Sequence, residues 1–520
     1  MPKKKVIIFL LLILALGGFL RLWQIGSTPP GLYHDEAMNG NNALGALETG
    51  EFKQFYSENN GREGLYINIQ AVSLKIFGNE PWALRLVSAL FGIFTILGLY
   101  ILAKEFFSEK IALFSSFFLA ISFWHVLFSR IGFRAIMAPF FLVWAIALLF
   151  MASRKKSPLL AVLAGLSFGL GFHSYIAYRI APLLLLLPVI KIWRNNQKKI
   201  IVIFLVSTFI AGLPLGLYFL GNPTDFFGRT SQISVFSSES PVKSLLTNSV
   251  KTAGMLFFVG DGNWRHNFAG KPELWWPMGI FFAVGLLYSL WKIIRKRKFG
   301  SAEGFLILWI LIMSLPVVIS SEGLPHALRG IILIPPIMIF TGIGFEKIRS
   351  IVNKWMKKQP EEYPEHKKQI LRIHKHLVVL VFAFFAVLAI QSYVQYFVRW
   401  GHHIYTYHSF NGRYWDIGDY LESLPQDTQK YVIVNAGGVL ARGIPMPAQT
   451  IMFATDTYAE KNREEKNIKY IMPYEIDSIE CPGACAIVTM ETDALLRESI
   501  KNLVPGLSLT TEPQFEILVK

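Results

Sequence analysis

The sequence contains eleven apolar runs, most of them close to the length of about 20 residues that a helix needs to cross a bilayer. They fall at 6–25, 83–103, 111–128, 135–152, 158–173, 176–190, 200–220, 274–291, 304–320, 328–345 and 377–397. Backbone N–H and C=O groups cannot remain unpaired in lipid, so these runs are predicted to form helices. We therefore expect an all-α polytopic membrane protein with about eleven transmembrane helices.

The composition excludes other classes of protein. Of the 520 residues, 53% are apolar and only 17% are charged, whereas an average soluble domain carries about 25% charged residues. The two cysteines are too few for a disulfide framework. The formal net charge is +16, and in a membrane protein such an excess belongs in cytoplasmic loops, against anionic lipid. We expect membrane lipids as partners, and no nucleic acid.

Lysine and arginine orient the predicted helices through the positive-inside rule. With Lys3, Lys4 and Lys5 placed inside, the segments KEFFSEK, SRKKSP, KIWRNNQKK, KIIRKRK and 346–376 also lie inside, and together they hold 26 of the 51 basic residues. The first span is interpreted as a retained anchor, because a convincing cleavage site of small residues is missing. We expect a multi-pass protein of the plasma membrane, with a cytoplasmic N-terminus and an exterior C-terminus.

The short outside connections depart from this pattern, since they contain arginine and no lysine. The four residues are Arg130, Arg134, Arg179 and Arg329. A guanidinium binds phosphate through a planar two-pronged fork that an ammonium lacks. We interpret these residues as candidate phosphate ligands, with snorkelling to outer headgroups as the alternative. Arg130 and Arg134 are four apart and are predicted to share one helical face.

The soluble parts are predicted to be exterior. The transmembrane domain is assigned to 1–397, with exterior loops at 26–82 and 221–273, and an exterior α/β domain to 398–520. In the first loop, one helical face is expected to lie in the membrane interface; it carries Leu65, Tyr66, Ile69, Val72, Ile76 and Phe77. In the tail, YVIVN, IKYIM, CAIVTM and FEILVK are predicted strands, with WDIGDYLESL and TDALLRESIKNL as helices. Cys481 and Cys485 are compatible with a disulfide or with two thiols.

The segment YHDEAMNGNNA follows the first span and is the strongest candidate for chemistry. Asp35 and Glu36 are adjacent carboxylates at the predicted outer membrane surface. Such a pair acts as a general base, binds a divalent cation, or does both. The alternative is a solvated acidic turn in which Asp35 caps a helix.

The other outside connections also carry ionisable groups, which are costly near a bilayer unless they are paired or functional. We expect them to line a polar cavity at the boundary between membrane and exterior. The candidates for binding the donor phosphate or the substrate are Arg62, Arg130, Arg134, His173, Tyr178, Arg179, Arg265, His326 and Arg329.

Three stretches resemble the GT-C glycosyltransferases, in particular glycosyltransferase family 39, the group similar to dolichyl-phosphate-mannose-protein mannosyltransferases. They are YHDEA, EGLYINIQAVSLKIFGNEPWALRLVSALFGIFTILGLYILAKEFF and the SRIGFR turn. Their order and spacing match over about residues 1–180, and beyond that the resemblance is one of topology. The sequence departs from the family at GREGLY, where the family often has HPP.

The resemblance implies transfer of a sugar from a polyprenyl-phosphate carrier to a protein, lipid or glycan hydroxyl at the outer leaflet. It assigns the central catalytic role to Asp35, with Glu36 beside it. Related aminoarabinose transferases hold a metal between a first-loop acid and a later histidine, for which Glu63 and His266 are the nearest candidates. The expected cofactor is therefore a divalent metal cation or none.

Two other functions are compatible with a polytopic chain. A transporter or lipid flippase also uses intramembrane charges, but it is expected to have broken helices near the midplane, whereas the charges here cluster at outer helix ends. A non-catalytic membrane assembly protein would use the tail to bind a partner. The intact DE pair argues against this alternative.

The predicted orientation can be tested with reporters fused after Tyr458, in the tail. The charge distribution predicts that a reporter active only outside the cytosol is active there. An alkaline phosphatase fusion and a green fluorescent protein fusion at the same residue give opposite readouts. Fluorescence without phosphatase activity would contradict the exterior tail, and with it an exterior active site.

Overall fold

The computed structural model describes residues 2–232, 235–237 and 239–520. It divides into two compact units. The first contains Met1–Trp23, Ser88–Arg130 and Arg134–Trp400, and the second contains Gln24–Val87, Ile131–Phe133 and Gly401–Lys520. Each unit is described by itself.

Most described residues are helical, as the apolar runs predict. In chain order the helices are α1 Lys3–Leu22, α2 His34–Thr49, α3 Gly64–Phe77, α4 Pro81–Phe106, α5 Glu109–Ile121, α6 Phe123–Phe128, α7 Met137–Lys155, α8 Pro158–Gly171, α9 Pro182–Arg194, α10 Lys198–Gly221, α11 Pro223–Gln232, α12 Pro241–Gly254, α13 Trp276–Lys296, α14 Ala302–Val318, α15 Ile334–Glu362, α16 Lys367–Tyr393, α17 Ile404–Ser409, α18 Gly412–Ser423, α19 Gln449–Ala454, α20 Glu460–Glu465 and α21 Ala494–Leu503.

Every one of the eleven apolar runs coincides with helix. Within the described residues, eight helical segments are long and apolar enough to cross a membrane; they contain α1, α4, α7, α9, α10, α13, α15 and α16. The runs at 158–173 and 304–320 form the shorter apolar helices α8 and α14. The chain is thus a multi-pass membrane protein, as predicted from its hydropathy.

The run at 111–128 is divided into two helices. α5 ends at Ile121, and the extended Ser122 then acts as the N-cap of α6 by accepting a hydrogen bond from the backbone N–H of His125. The interruption lies among buried residues, where the serine hydroxyl satisfies a backbone donor that lipid could not.

Glycines allow the helices of the first unit to pack closely. A Cβ added to Gly285 of α13 would overlap the backbone oxygen of Phe340 in α15, and one added to Gly344 of α15 would overlap that of Phe281. A Cβ added to Gly342 of α15 would overlap the hydroxyl of Ser115 in α5. Small residues at such crossings are typical of membrane helices, whose association depends on close contact.

The second unit contains a five-stranded mixed sheet. All strands, in chain order, are β1 Phe55–Tyr56, β2 Arg62–Glu63, β3 Gln429–Ile433, β4 Leu440–Ala441, β5 Ile444–Pro445, β6 Ile468–Ile471, β7 Cys485–Thr489, β8 Ser508–Thr511 and β9 Glu516–Val519. The sheet has the order β6-β3-β7-β9-β8. β3 is parallel to β6 and β7, and β9 is antiparallel to β7 and β8.

Both faces of the sheet are covered by helices. Ile417 of α18 and Ile451 of α19 pack with Val432 and Val488 on one face, and Ile500 of α21 packs with Ile433 and Ile487 on the other. The small C-terminal α/β domain predicted from the sequence is therefore confirmed. β8, from the LSLTT stretch, was not predicted. Cys481 and Cys485 form a disulfide.

The loop predicted at 26–82 packs within the same unit as the C-terminal segment predicted at 398–520. The amide nitrogen of Asn41 in α2 donates to the side-chain oxygen of Gln449 in α19, at 2.9 Å, and Phe453 of α19 joins an apolar cluster with Ala37 and Ala71. The unit therefore combines residues from either side of the boundary predicted near 398. Separate folding of 398–520, and its exterior position, stay predictions.

Two local predictions need correction. In α3 the helix is as expected, but Tyr66 is buried, so it does not share the exposed face of Val72 and Ile76. Arg130 and Arg134 do not share a helical face, because α6 ends at Phe128 and Arg134 begins a separate 3₁₀ turn. The intervening turn contains Gly132.

The predicted loop 221–273 contains α11 and α12, and its residues 233, 234 and 238 lie outside the described residues.

Candidate functional site

The DE pair lies in the first turn of α2, where carboxylates are favoured by the helix dipole. The N-cap residue is Tyr33, so Asp35 is not the cap. Asp35 is partly exposed, and its Oδ1 accepts a hydrogen bond of 2.7 Å from the side-chain amide of Asn59. In the described part of the chain Asp35 forms no ion pair. The amide of Asn59 therefore orients the Asp35 carboxylate.

Glu36 has the opposite environment. It is fully buried, and its Oε2 lies 3.1 Å from Nε of Arg85 and 2.5 Å from the backbone N–H of Gly132. Arg85 also donates to the backbone oxygens of Pro29, at 2.9 Å, and Gly31, at 2.7 Å. This buried ion pair connects the start of α2 to α4 and to the turn at 131–133.

Arg62 is held by the same helix. Its guanidinium donates to the amide oxygens of Asn39, at 2.7 Å, and Asn42, at 2.5 Å. Asn39 in turn donates to the backbone oxygen of Gly132, at 3.0 Å. Arg62 and the neighbouring Glu63 are each 2% exposed, so Arg62 is part of the internal structure of this connection in the present conformation.

The first unit contains a separate cluster of ionisable groups. Asp261, His266 and His326 each present one potential metal ligand atom, and these atoms lie within 4.8 Å of one another. Nδ1 of His266 is 3.1 Å from Oδ2 of Asp261, and Nδ1 of His326 is 3.8 Å from the same oxygen. The two imidazole rings stack with centroids 4.8 Å apart.

Backbone geometry explains this convergence. Asp261 follows α12, and its Oδ1 accepts the backbone N–H of Asn263 at 2.8 Å, which closes a tight turn towards His266. Oδ2 accepts the backbone N–H of Ala327 at 2.8 Å, and this bond brings in the connection between α14 and α15 that carries His326. One carboxylate and two imidazoles form a ligand set suited to zinc or another divalent transition metal.

Glu273 stabilises the loop that carries Asp261. Its Oε1 accepts the backbone N–H of Asp261 at 3.1 Å. Burial, together with the nearby Asp261 carboxylate, raises the pKa of Glu273 well above its ordinary value, and the hydrogen bond from the Asp261 backbone offsets only part of that rise. Glu273 thus favours its neutral form.

The remaining candidate residues have different degrees of exposure. Arg130 is buried, donates to the backbone oxygen of Leu20 at 3.1 Å, and lies over the ring of Phe397. Arg134, Arg179, Arg265 and Arg329 are partly exposed. Arg179 donates to the backbone oxygen of Phe226 at 2.8 Å. Arg329 contacts the hydroxyl of Ser320 and the backbone oxygen of Glu322.

His173 and Tyr178 are internal residues. Nε2 of His173 lies 2.9 Å from the backbone oxygen of Ala211 in α10. Tyr178 is fully buried against the rings of Phe168 and Phe172. Both positions support the packing of α8 and α10.

Sequence reasoning did not single out four residues that order these sites: Asn39, Asn42, Asn59 and Arg85. Asn39 and Asn42 stand in NGNNA beside the DE pair, Asn59 stands in SENNG, and Arg85 stands in the WALR segment. A buried partner for Glu36 could have been sought among them. Asp261 was not among the predicted site residues either, since its role in joining His266 and His326 depends on the tertiary structure.

Comparison with known proteins identifies the class of fold. A family model described as dolichyl-phosphate-mannose-protein mannosyltransferase matches residues 65–218. Over 224 residues the chain is 28% identical to “Putative mannosyltransferase YkcB” of Bacillus subtilis (strain 168); the match covers 41% of this chain and 30% of that protein. The chain therefore spans less than a third of that relative's length.

Two solved proteins share the fold over most of the chain. ArnT from Cupriavidus metallidurans, bound to undecaprenyl phosphate, is 11% identical with a TM-score of 0.59, covering 100% of this chain and 98% of that chain. The Archaeoglobus fulgidus oligosaccharyltransferase tethered with an acceptor peptide is 13% identical with a TM-score of 0.51, covering 94% and 69%. The resemblance stated from the sequence is confirmed: the chain has the fold of GT-C glycosyltransferases.

The buried Glu36–Arg85 pair can be tested through stability. Replacing Arg85 by Met leaves the Glu36 carboxylate buried without its cation, and we expect a loss of about 3–5 kcal/mol in the free energy of unfolding. Arg154→Met is the matched control, because its pair with Glu105 involves an arginine side chain that is 58% exposed and contributes at most about 1 kcal/mol. Thermal unfolding in detergent is the measurement. Equal melting temperatures for the two variants would show that the buried pair does not stabilise this unit.

Proposed function

We propose that the chain is an integral membrane glycosyltransferase that moves a sugar from a polyprenyl-phosphate donor to a glycan, lipid or protein hydroxyl at the outer face of the plasma membrane. The fold shared with ArnT, whose structure contains undecaprenyl phosphate, supports a lipid-phosphate donor. The oligosaccharyltransferase with the same fold, whose structure contains a tethered acceptor peptide, supports a separate acceptor molecule. The sugar and the acceptor are left open.

The observation that carries the proposed chemistry is the pairing of two different carboxylates at the start of α2. The negative charge of Glu36 is compensated by its ion pair with Arg85, whereas Asp35 is partly exposed and oriented by Asn59. We assign Asp35 as the catalytic base and Glu36 as a positioning residue. Asp35 accepts the acceptor proton as the new bond to the anomeric carbon forms, and the electrons of the broken bond leave with the polyprenyl phosphate.

Departure of a phosphate requires positive charge near the developing anion. The partly exposed arginines Arg134, Arg265 and Arg329 are the proposed donors to this phosphate, because a fork of N–H groups fits its oxygens. Arg62 and Arg130 are buried, so their role in donor binding would require a local rearrangement. Arg179 is assigned to the same set with its guanidinium over Phe226.

We further propose that Asp261, His266 and His326 hold a divalent metal ion. The fit rests on the converging ligand atoms and on a carboxylate whose Oδ1 and Oδ2 are both oriented by backbone N–H groups. A bound ion would supply positive charge for phosphate stabilisation. The protein places the ligands by hydrogen bonds of Asp261, which join the loop after α12 to the segment before α15. Glu63 stays a predicted ligand alongside His266.

Replacement of Asp35 tests the catalytic assignment. Asp35→Asn keeps the shape and the hydrogen bond to Asn59 but removes the base, and we expect the transfer rate to fall by at least about 10²-fold. Glu48→Gln is the matched control, because Glu48 is an exposed carboxylate on the same helix. Transfer is measured with a labelled polyprenyl-phosphate sugar in membranes that contain the native acceptor. A folded Asp35→Asn protein with control-level transfer would eliminate the base.

The metal site can be tested without activity. We expect the chelator-treated protein to take up about one zinc ion, and His266→Ala and His326→Ala each to weaken uptake at least about 10-fold, since even outer partners of ligands contribute that much. His366→Ala, which removes an exposed histidine outside the cluster, is the control. Isothermal titration with zinc gives stoichiometry and affinity. If all three variants bound zinc like the wild type, the cluster would be a hydrogen-bonded network only.

A further inference from the structure

The ends of several helices in the first unit form a cavity that the proposed transfer reaction does not use. It has a volume of about 650 Å³, within the range of small-molecule sites. Its lining comes from the ends of α4, α7 and α9 and from the start of α14. The connections that follow or precede these ends are the Lys- and Arg-rich segments that the charge rule places in the cytoplasm.

One wall of this cavity is apolar and aromatic. Phe106, Phe150 and Phe305 contact one another, with ring centroids 4.9 to 6.0 Å apart. On the α9 side, Leu187 is 40% exposed and Ile190 is 46% exposed. Such a surface on a membrane protein is suited to a hydrocarbon chain, because the chain removes apolar area from water.

The mouth of the cavity is positively charged. Glu105 lines it, but both carboxylate oxygens accept hydrogen bonds from Arg154, at 2.7 and 2.8 Å, so its charge is compensated. Lys191 and Arg194 also line the cavity, three residues apart on the last turn of α9. Among the described residues neither of these two forms an ion pair. The cavity therefore presents two uncompensated cations above an apolar wall.

We propose that this cavity binds an acidic phospholipid of the cytoplasmic leaflet, with its phosphate against Lys191 and Arg194 and an acyl chain along Leu187, Ile190 and the three phenylalanines. The combination of cations at the interface and exposed apolar side chains beneath them matches the two parts of such a lipid. A soluble anion would use only the cations. A zwitterionic phospholipid also has a phosphate, but the cation of its own head group compensates that charge.

Native mass spectrometry of the full-length protein in detergent can test this site with dioleoylphosphatidylglycerol and dioleoylphosphatidylcholine as probes. We expect the acidic lipid to bind at least about 10-fold more tightly, and K191Q/R194Q to lose that preference, because each cation near a lipid surface contributes several-fold. K199Q/K296Q removes the same charge from exposed lysines that do not line the cavity, and it should keep the preference.

Two further measurements separate the outcomes. The first adds inorganic phosphate as a competitor, and we expect millimolar phosphate to leave the bound lipid in place. Displacement of the lipid would mean that the site recognises a free anion, and it would overturn the proposal. Thermal unfolding in lipid-free detergent verifies that both double variants are folded. Equal preference for the acidic lipid in the wild type and K191Q/R194Q would also overturn it. None of these outcomes depends on transferase activity.

Discussion

The ion pair between Glu36 and Arg85 is the interaction on which the proposed active site depends. A buried carboxylate is costly unless it is paired and hydrogen-bonded, and Glu36 receives both a guanidinium and the backbone N–H of Gly132. Within the second unit, these bonds fix the first turn of α2 relative to the start of α4, where Arg85 lies, and to the 131–133 turn. Asp35 is the residue immediately before Glu36, so the direction of its side chain follows from the placement of Glu36. Two adjacent carboxylates that look equivalent in the sequence thus have different environments in the structure.

A second constraint acts in the first unit, where two connections far apart in the sequence meet at Asp261. Its carboxylate accepts one backbone N–H from its own loop and one from Ala327. The consequence is that His266 and His326 lie side by side. A metal ion there would bind residues that are already oriented, which lowers the entropic cost of assembling the site.

Much of the fold could be predicted because its signals are local. Each apolar run contains its own evidence for a helix, and the short continuous runs of apolar, β-branched residues in YVIVN and CAIVTM identify β3 and β7. β8 was missed because LSLTT contains only two apolar residues, as suits a strand that is mostly exposed. The shared face of Arg130 and Arg134 was wrong because spacing was used where a turn containing Gly132 interrupts the helix.

The candidate site was predictable only in part. Asp35, His266 and His326 were selected from residue type and position, and the structure brings the two histidines together. The difference between Asp35 and Glu36 could not be predicted, because it depends on Arg85, which is 49 residues away in the sequence and reaches Glu36 only in the tertiary structure. The cavity proposed to bind a phospholipid could not be predicted for the same reason, because its aromatic wall and its two cations belong to four different helices.

The central claim is that the chain uses a lipid-linked sugar, and donor choice tests it most directly. Purified protein in proteoliposomes would be supplied with membrane extract as the acceptor source and with one of two labelled donors: a polyprenyl-phosphate sugar or the corresponding nucleotide sugar. We predict release of polyprenyl phosphate and transfer of label from the lipid donor alone. Transfer from the nucleotide sugar, with the lipid donor untouched, would contradict it.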